Sequence, residues 1–509
     1  VGDLSRSSLS AWPRLIVVAW TLVRADALVP RELDPLLTPA GRTGARFIRL
    51  FAGRAASEGA PGRRLARALE RLGPVAIKLG QFLSTRGDIF GQAFAADLAH
   101  LKDQLPPFPT AVARVEVENA IGGPLSDLFI RFDEPVAAAS LAQAHRAQLR
   151  DGREAAVKVL RPGVERRVAR DVDAMMLAAR IVDAWPPARR LEPTAFAATV
   201  VYTLKLELDL RLEAAAADEL RQIMAGDSHM RAPAVVWEGV ARRVLTLEWA
   251  EGIALSDPAA LEQDGIDRDR LANALVRGFL AQALDHGVFH ADLHEGNLFV
   301  VPPAGLAVVD FGIIGRLGPS ERRYLAEILW GFLQRDYARI ADVHFQAGYV
   351  PAHHDRGAFS QALRAVGEPV FGRPARDVSM ARLLTQLFEI TALFDMRLRP
   401  ELVLLQKTMM TVEGVARRID PDHDMWSAAE PVVRRWIARE LSPSAAIRTI
   451  ANEARAALTA MSRPMAAPPP PANERPTETR SGLGLAFALG ALCAALAFAL
   501  AVWLRWSGS

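Results

Sequence analysis

The segment Phe289-His290-Ala291-Asp292-Leu293-His294-Glu295-Gly296-Asn297 carries residue types that phosphoryl transfer needs, and so does the later run Leu306-Ala307-Val308-Val309-Asp310-Phe311-Gly312. Such chemistry requires one carboxylate to orient or deprotonate the acceptor. It also requires an amide oxygen and a second carboxylate to hold magnesium against the phosphates of a nucleotide. Asp292, Asn297 and Asp310 match these roles in order and spacing. An isolated Asp-Phe-Gly is a weak signal, whereas Asp-x4-Asn followed by a strand ending in Asp-Phe-Gly is a specific one. His290 and His294 flank Asp292, and histidines at that spacing share one helix face and could ligate a metal. No His-Glu-x-x-His accompanies them, because Glu295 follows the second histidine. His290 is therefore read as the structural histidine that opens a catalytic loop.

A second constellation is "EAAVKVLRPG", residues 154–163. Lys158 alternates with apolar neighbours on an expected strand, the placing of a lysine that bridges the α- and β-phosphates. A glutamate on a helix positions such a lysine, and Glu207 and Glu213, in the helical stretch "LKLELDLRLEAAAADEL", are both candidates. A lysine capping a surface strand is the plainer alternative. No Gly-x-Gly-x-x-Gly precedes Lys158; Ala137-Ala138-Ala139-Ser140 stands there instead. Alanine restricts both close backbone approach and positive φ, so a tighter loop with altered nucleotide preference is expected.

The elements that must position these residues are marked by periodicity and punctuation. Leu15 to Leu22, between Arg14 and Arg24, is too short to span a bilayer and lacks a small-residue cleavage site. It reads as part of a helix that packs on a domain or lies on a membrane surface. Leu65, Leu69, Leu72, Val75, Leu79 and Leu83 recur at helical spacing, with Gly73-Pro74 starting a new helix. Pro106-Pro107-Phe108-Pro109 closes this region. A short helix then runs to about Ala120 and ends at Gly122-Gly123-Pro124. From Leu128 to Leu160 the pattern is that of strands, with Asp151-Gly152 as a hairpin turn. Helical segments follow to about Ala225. Residues 242–252 read as a strand entering a linker, and residues 254–430 as mainly helical around the motif region 289–316. Residues 463–481 are a Pro-rich polar linker. Residues 482–504 then carry no charge over 23 positions, with Trp503, Arg505 and Trp506 at the end, which is the length and edging of a transmembrane helix.

Composition narrows the function further. The 509 residues suffice for two or three ordinary domains, and half are hydrophobic, enough for a sizeable core. A net charge of +3 argues against bulk binding of nucleic acid. The single cysteine, Cys493, excludes an intrachain disulfide and a cysteine zinc finger. Among 61 basic residues only five are lysines: Lys78, Lys102, Lys158, Lys205 and Lys407. The Ala- and Arg-rich composition suggests a GC-rich bacterial genome, in which a retained lysine points to chemistry that a rigid guanidinium cannot supply.

With these residues in hand, the chain resembles the UbiB family, which includes the mitochondrial coenzyme Q kinases, from about residue 10 to residue 460. The likeness is densest in five places. They are Lys78-x-Gly80-Gln81 in "GPVAIKLGQFLSTRGDIF", the alanine-rich loop 137–140, Glu207-x-Asp209, "HADLHEGN", and Gln406-Lys407-Thr408 in "LVLLQKTMMTVEG". The resemblance implies an α+β, protein-kinase-like two-lobe fold. A helical extension (1–124) would precede a small β-rich N-lobe (125–252) and a large helical C-lobe (253–462). The linker (463–481) and a C-terminal transmembrane helix (482–506) would follow. It implies an ATP-dependent phosphotransferase or ATPase using ATP (or ADP) and Mg2+. Lys158 would contact the phosphates with Glu213 as its partner, and Ala137, Ala138, Ala139, Ser140 and Glu248 would border the nucleotide. Asp292 would be catalytic, and Asn297 and Asp310 would hold the metal. Glu207 and Asp209 would face the helix of Lys78, Gly80 and Gln81, which in the family lies over the place where a protein substrate would dock.

The implied role is support of ubiquinone or related isoprenoid-quinone synthesis at a bacterial inner membrane, with a single-pass anchor and a cytoplasmic catalytic part. Membrane lipids and quinone precursors are the implied partners; other quinone-biosynthesis enzymes and a second copy of the chain are admitted, and nucleic acid is not. A nucleotide-binding scaffold without catalysis is the competing reading. A small-molecule kinase of the aminoglycoside-phosphotransferase type is disfavoured, because it needs neither the Lys78 helix nor a membrane tail. Two departures from the family pattern stand out. Glu295 occupies a usual proline position and adds negative charge beside the metal site, and Ala216 replaces a common asparagine.

Overall fold

The computed structural model describes residues 4–28, 39–52, 59–84, 92–99, 105–184, 192–370 and 399–440, with positions 101, 386, 390 and 393–396. Lys102, the linker 463–481, the expected span 482–506 and Cys493 lie outside the described residues. No helix among those described is long and apolar enough to cross a membrane. The described residues form two compact units, 4–212 with 237–246, and 213–236 with 247–440. Helix predominates over strand.

In the first unit, α1 (Leu4–Arg24) packs against α7 (Val164–Asp183). Arg14 ties the two helices by donating to both carboxylate oxygens of Asp171, at 2.6 and 3.1 Å, and to the Leu72 carbonyl at 2.6 Å. After α2 (Pro39–Arg49), α3 (Pro61–Leu72) ends at Gly73, whose φ of 102° a side chain would resist, and α4 (Pro74–Ser84) starts anew with proline in its first turn. Helix α5 (Gln92–Ala99) packs on both α3 and α4, with Leu69, Leu72, Leu98 and Leu101 buried among them. Helix α6 (Thr110–Ile121) is closed by Gly122 in the left-handed region, where the glycine pair had marked a stop.

Strands β1 (Phe129–Ala138), β2 (Ala142–Leu149), β3 (Glu154–Leu160) and β5 (Val244–Glu248) form one sheet in the order β1-β2-β3-β5. The Asp151-Gly152 turn joins β2 to β3, with Gly152 at φ 89°. Ala155, Val157 and Val159 bury one face of β3, and Glu154, Ala156 and Lys158 occupy the other. Helices α8 (Pro193–Glu207) and α9 (Leu210–Met224) follow α7.

The second unit is built on α10 (Arg268–Ala281), in which Leu271, Leu275, Val276, Phe279 and Leu280 are all buried. It packs against α14 (Pro400–Ile419) and α15 (Met425–Glu440). A helix apolar on so many sides belongs in the middle of a domain. Helices α11 (Pro319–Gln334), α12 (Tyr337–Gln346) and α13 (Arg356–Gly367) form a neighbouring layer. Asp267, Asp336 and Asp355 accept a backbone N–H at the starts of α10, α12 and α13, each cap contributing about 1 kcal/mol. Four short strands, β4 (Met230–Arg231), β6 (Ile253–Ala254), β8 (Leu298–Val301) and β9 (Gly305–Val308), form a sheet in the order β4-β9-β8-β6. Strands β7 (Val288–His290) and β10 (Ile314–Arg316) make a separate antiparallel ribbon.

His344 on α12 is fully buried between Tyr349 and Phe359, with Nδ1–H donating to the Ile340 carbonyl. Burial pushes its pKa down to about 4. A histidine that resists protonation when folded but accepts it at pH 6.5 when unfolded stabilises fully above pH 6.5. That stability is lost as pH falls toward 4, by about 3 kcal/mol in all. Urea midpoints measured from pH 7 to pH 4 are expected to fall, and His344→Phe should flatten that decline.

Candidate functional site

Strand β7 delivers the chain to His290, and its pairing with β10 (His290 opposite Ile314) fixes where the loop begins. His290 is wholly buried. Its Nδ1 accepts the Asp292 N–H at 3.1 Å, so the proton sits on Nε2, which lies 2.9 Å from the Asp310 carbonyl and 3.2 Å from that of Val309. Burial holds its pKa below the usual value against the opposing pull of Asp310 and Asp292. Both ring nitrogens are thus committed to backbone groups, and the metal-ligand reading of the histidine pair is set aside. His294 accepts the Gly296 N–H on Nδ1 and turns Nε2 to within 3.7 Å of an Asp292 oxygen.

A single turn, Glu295–Asn297, then brings Asn297 back toward Asp292. Its amide nitrogen donates to the Asp292 carbonyl at 3.0 Å, which leaves the amide oxygen as the acceptor end. The Asn297 carbonyl receives the Val309 N–H at 2.9 Å, which joins this loop to the chain leaving β9. Asp310 stands at the next position with φ 61°, a left-handed conformation uncommon outside glycine. Phe311 is buried, its ring edge-on to that of His290 at 5.6 Å. The three residues singled out for acceptor and metal are therefore held by one hydrogen-bonded circuit centred on His290.

Helix α14 braces this loop. The Thr408 hydroxyl donates to the Ala291 carbonyl at 3.1 Å, giving the Gln406-Lys407-Thr408 segment a direct role in positioning. Arg418 pairs with Glu295 at 2.7 Å, so the extra carboxylate beside the loop is offset by a guanidinium from the same helix. Nothing in the local sequence of Arg418 signals that partnership. Ala216 is buried in α9. Gly315 lies against the buried Phe289 ring, where an added Cβ would fall 2.1 Å from the ring. Gly315→Ala is expected to cost about 3 kcal/mol of stability, read as a drop in the urea midpoint.

In the first unit Lys158 lies on β3 opposite Ala144. Ala137 and Ala138 end β1, and Ala139 closes a tight turn by donating to the Ala142 carbonyl at 2.8 Å, with Ser140 buried at the bend. Arg161 holds that turn: Nε donates to the Ala139 carbonyl at 2.9 Å, while its terminal nitrogens reach the carbonyls of Pro106 and Leu105. Gln143 donates to His145 at 2.8 Å and exchanges hydrogen bonds with the Phe108 backbone. His145 is buried, which lowers its pKa, and its Nδ1–H donates to the Asp133 carbonyl. Sequence reading passed over Arg161, Gln143 and His145, whose partners lie on other elements.

Lys78 on α4 forms an ion pair with Glu207 at the end of α8, at 3.1 Å and with both side chains about 15 % exposed. Asp209 uses its carboxylate differently, binding the Arg211 guanidinium at 2.8 and 2.6 Å and the Arg211 N–H at the start of α9. That pairing holds the Asp209 pKa down. Gly80 packs so closely that a Cβ would meet Leu101 and Leu69 within 2.7 Å, and Gln81 follows it on the same helix. Glu213 lies in the first turn of α9, and Glu248 ends β5 with its N–H on the Ala234 carbonyl; both belong to the second unit.

Comparison with known proteins gives this arrangement a lineage. The ABC1 atypical kinase-like domain matches residues 100–344 and the UbiB helical domain matches residues 363–424. A protein of Marinobacter nauticus named probable protein kinase UbiB is 41% identical over 398 residues, 77% of this chain and 73% of the relative. One of Pseudomonas fluorescens with the same name is 39% identical over 427 residues, 81% of this chain and 80% of the relative. The chain belongs to the UbiB family. Its fold is kinase-like. A solved structure of Rv3197 with erythromycin, from Mycobacterium tuberculosis, resembles it with a TM-score of 0.51 at 23% identity, over 72% of this chain and 93% of that one. The resemblance read from the motifs thus holds for the UbiB family over 77 to 81% of the chain.

Proposed function

We propose that this UbiB-family chain binds Mg-ATP and hydrolyses it, or transfers its phosphoryl group, in support of ubiquinone synthesis at a membrane. The observation that carries the reading is the circuit around His290, which fixes the backbones of Asp292 and Asp310 and the amide of Asn297 relative to one another. The Asn297 amide oxygen and the Asp310 carboxylate form an all-oxygen set of the kind magnesium takes. Magnesium held there would neutralise phosphate charge and orient the transferring group. Asp292 would then orient the attacking oxygen and accept its proton, and the family pattern assigns Lys158 to the phosphates.

The ubiquinone role follows from the family, whose members carry the name probable protein kinase UbiB. The uncharged run 482–504 supports a membrane anchor that keeps quinone precursors within reach. The full-length chain in vesicles of anionic lipid should release phosphate from ATP only when Mg2+ is present. Absence of both Mg-dependent nucleotide binding and turnover would remove the proposal. Quinone synthesis rescued by Asp292→Asn but not by Lys158→Ala would favour the scaffold without catalysis.

A further inference from the structure

Three acidic or imidazole side chains meet at the far end of α14, outside the residues assigned to nucleotide. A carboxylate oxygen of Asp269, a carboxylate oxygen of Asp420 and a ring nitrogen of His423 lie within 4.8 Å of one another. Asp269 stands in the first turn of α10, Asp420 caps the end of α14, and His423 lies in the turn leading to α15. The site therefore joins three helices that pack together as the core of the second unit.

His423 supplies an independent sign. Its side chain is 4 % exposed, and Nε2 is buried with no hydrogen-bond partner among the described residues. A buried imidazole nitrogen without a partner is a costly arrangement that native structures generally resolve with water or an ion.

The surroundings suit a cation. Asp269 Oδ1 accepts a hydrogen bond from the Asn273 amide at 3.0 Å, and Asp420 Oδ1 accepts the Asp422 N–H at 3.2 Å. Each carboxylate is thus oriented by a neighbour and retains a second oxygen, as metal-ligating carboxylates do. Asp424 adds negative charge nearby while its own oxygens cap α15 through Trp426 and Ser427. The nearby guanidinium, Arg417, is paired with Glu413 at 3.2 Å. One nitrogen with two oxygen donors is a set for a divalent ion of the zinc or manganese class rather than for calcium. Bonds of about 2.0–2.2 Å require the three donors to draw together, which rotation of the exposed Asp269 side chain permits.

We infer that Asp269, Asp420 and His423 form a structural site for a divalent transition-metal ion that clasps α10, α14 and the start of α15. The test uses untagged full-length chain stripped with EDTA and then dialysed against Zn2+ or Mn2+, with bound metal and thermal midpoint as readouts. His353, His354 and Asp395 also bring two imidazoles to one carboxylate, at 3.9 and 3.3 Å, so the measurement is made in a His353→Ala, His354→Ala background. One ion retained per chain and a rise of about 5 °C are expected. His423→Leu should fold, because leucine suits the buried setting without an orphan nitrogen, and should lose both effects. Asp420→Asn should weaken binding at least about tenfold; ions are counted with Asp310→Asn already in place, because Asp310 is itself assigned to the magnesium site. No retained ion, or retention undiminished in His423→Leu, would overturn the assignment.

Discussion

Asp310→Asn is expected to lower Mg-dependent ATP turnover by on the order of 10³-fold, equivalent to about 4 kcal/mol of transition-state stabilisation. The thermal midpoint should meanwhile stay within about 2 °C. The substitution isolates charge from backbone strain. Asp310 holds φ at 61°, and asparagine shares with aspartate an unusual tolerance of that region. The carbonyl that receives His290 Nε2 is backbone and survives the change. What disappears is the negative charge that metal ligation needs, while the amide keeps the shape. Asp310→Ala confounds the two effects, since alanine resists a left-handed φ. Phosphate release measured at saturating Mg2+, together with binding of a fluorescent nucleotide, separates lost catalysis from lost affinity. Turnover within threefold of the starting chain would show that Asp310 is no metal ligand.

Reversing Lys78 to glutamate should destabilise the first unit by about 3 kcal/mol or more. The Lys78–Glu207 pair is mostly withdrawn from water, at 15 % and 14 % exposure. Two carboxylates at that separation would repel in a setting where solvent screens little. Glu207→Lys should be comparably harmful, whereas the double reversal should recover at least half of the loss. A double-mutant cycle read from urea midpoints gives the coupling directly. Strict additivity of the two single changes would show that the ion pair contributes nothing. Because α4 also carries Gly80 and Gln81, the same variants report whether the grip of α4 on α8 is needed for turnover.

Much of the candidate site could be read in the chain order. Asp292 and Asn297 sit five apart in a tight loop, so once one is placed the backbone brings the other near. The turn at Asp151-Gly152, the break at Gly73-Pro74 and the stop at Gly122 were equally legible, because each depends on the φ preferences of one or two residues. The strand face of Lys158 was legible because a period of two separates it from that of Val157 and Val159.

Most partnerships between distant positions were not legible in the residue types themselves. By residue type alone Glu207 and Glu213 were both candidates for Lys158; the family resemblance pointed Glu207 at the Lys78 helix, and the packing of α4 against α8 makes that pair. Asp209, two residues from Glu207, turned to Arg211 because a carboxylate at a helix start finds the nearest N–H and guanidinium first. Glu295 looked like an uncompensated charge until α14 brought Arg418 to it, and Thr408 reached Ala291 across 117 positions of sequence.

The sequence by itself determined the chemistry on offer, namely two carboxylates, an amide and a lysine at spacings proper to phosphoryl transfer, and the local turns that present them. The tertiary structure alone decided which charges meet and which histidines are buried and neutral. It also decided that three helix ends converge on Asp269, Asp420 and His423. The physical reason is range. Backbone stereochemistry acts over a few residues and is written in their types, whereas ion pairing and desolvation act through space, where the distance along the chain carries no information.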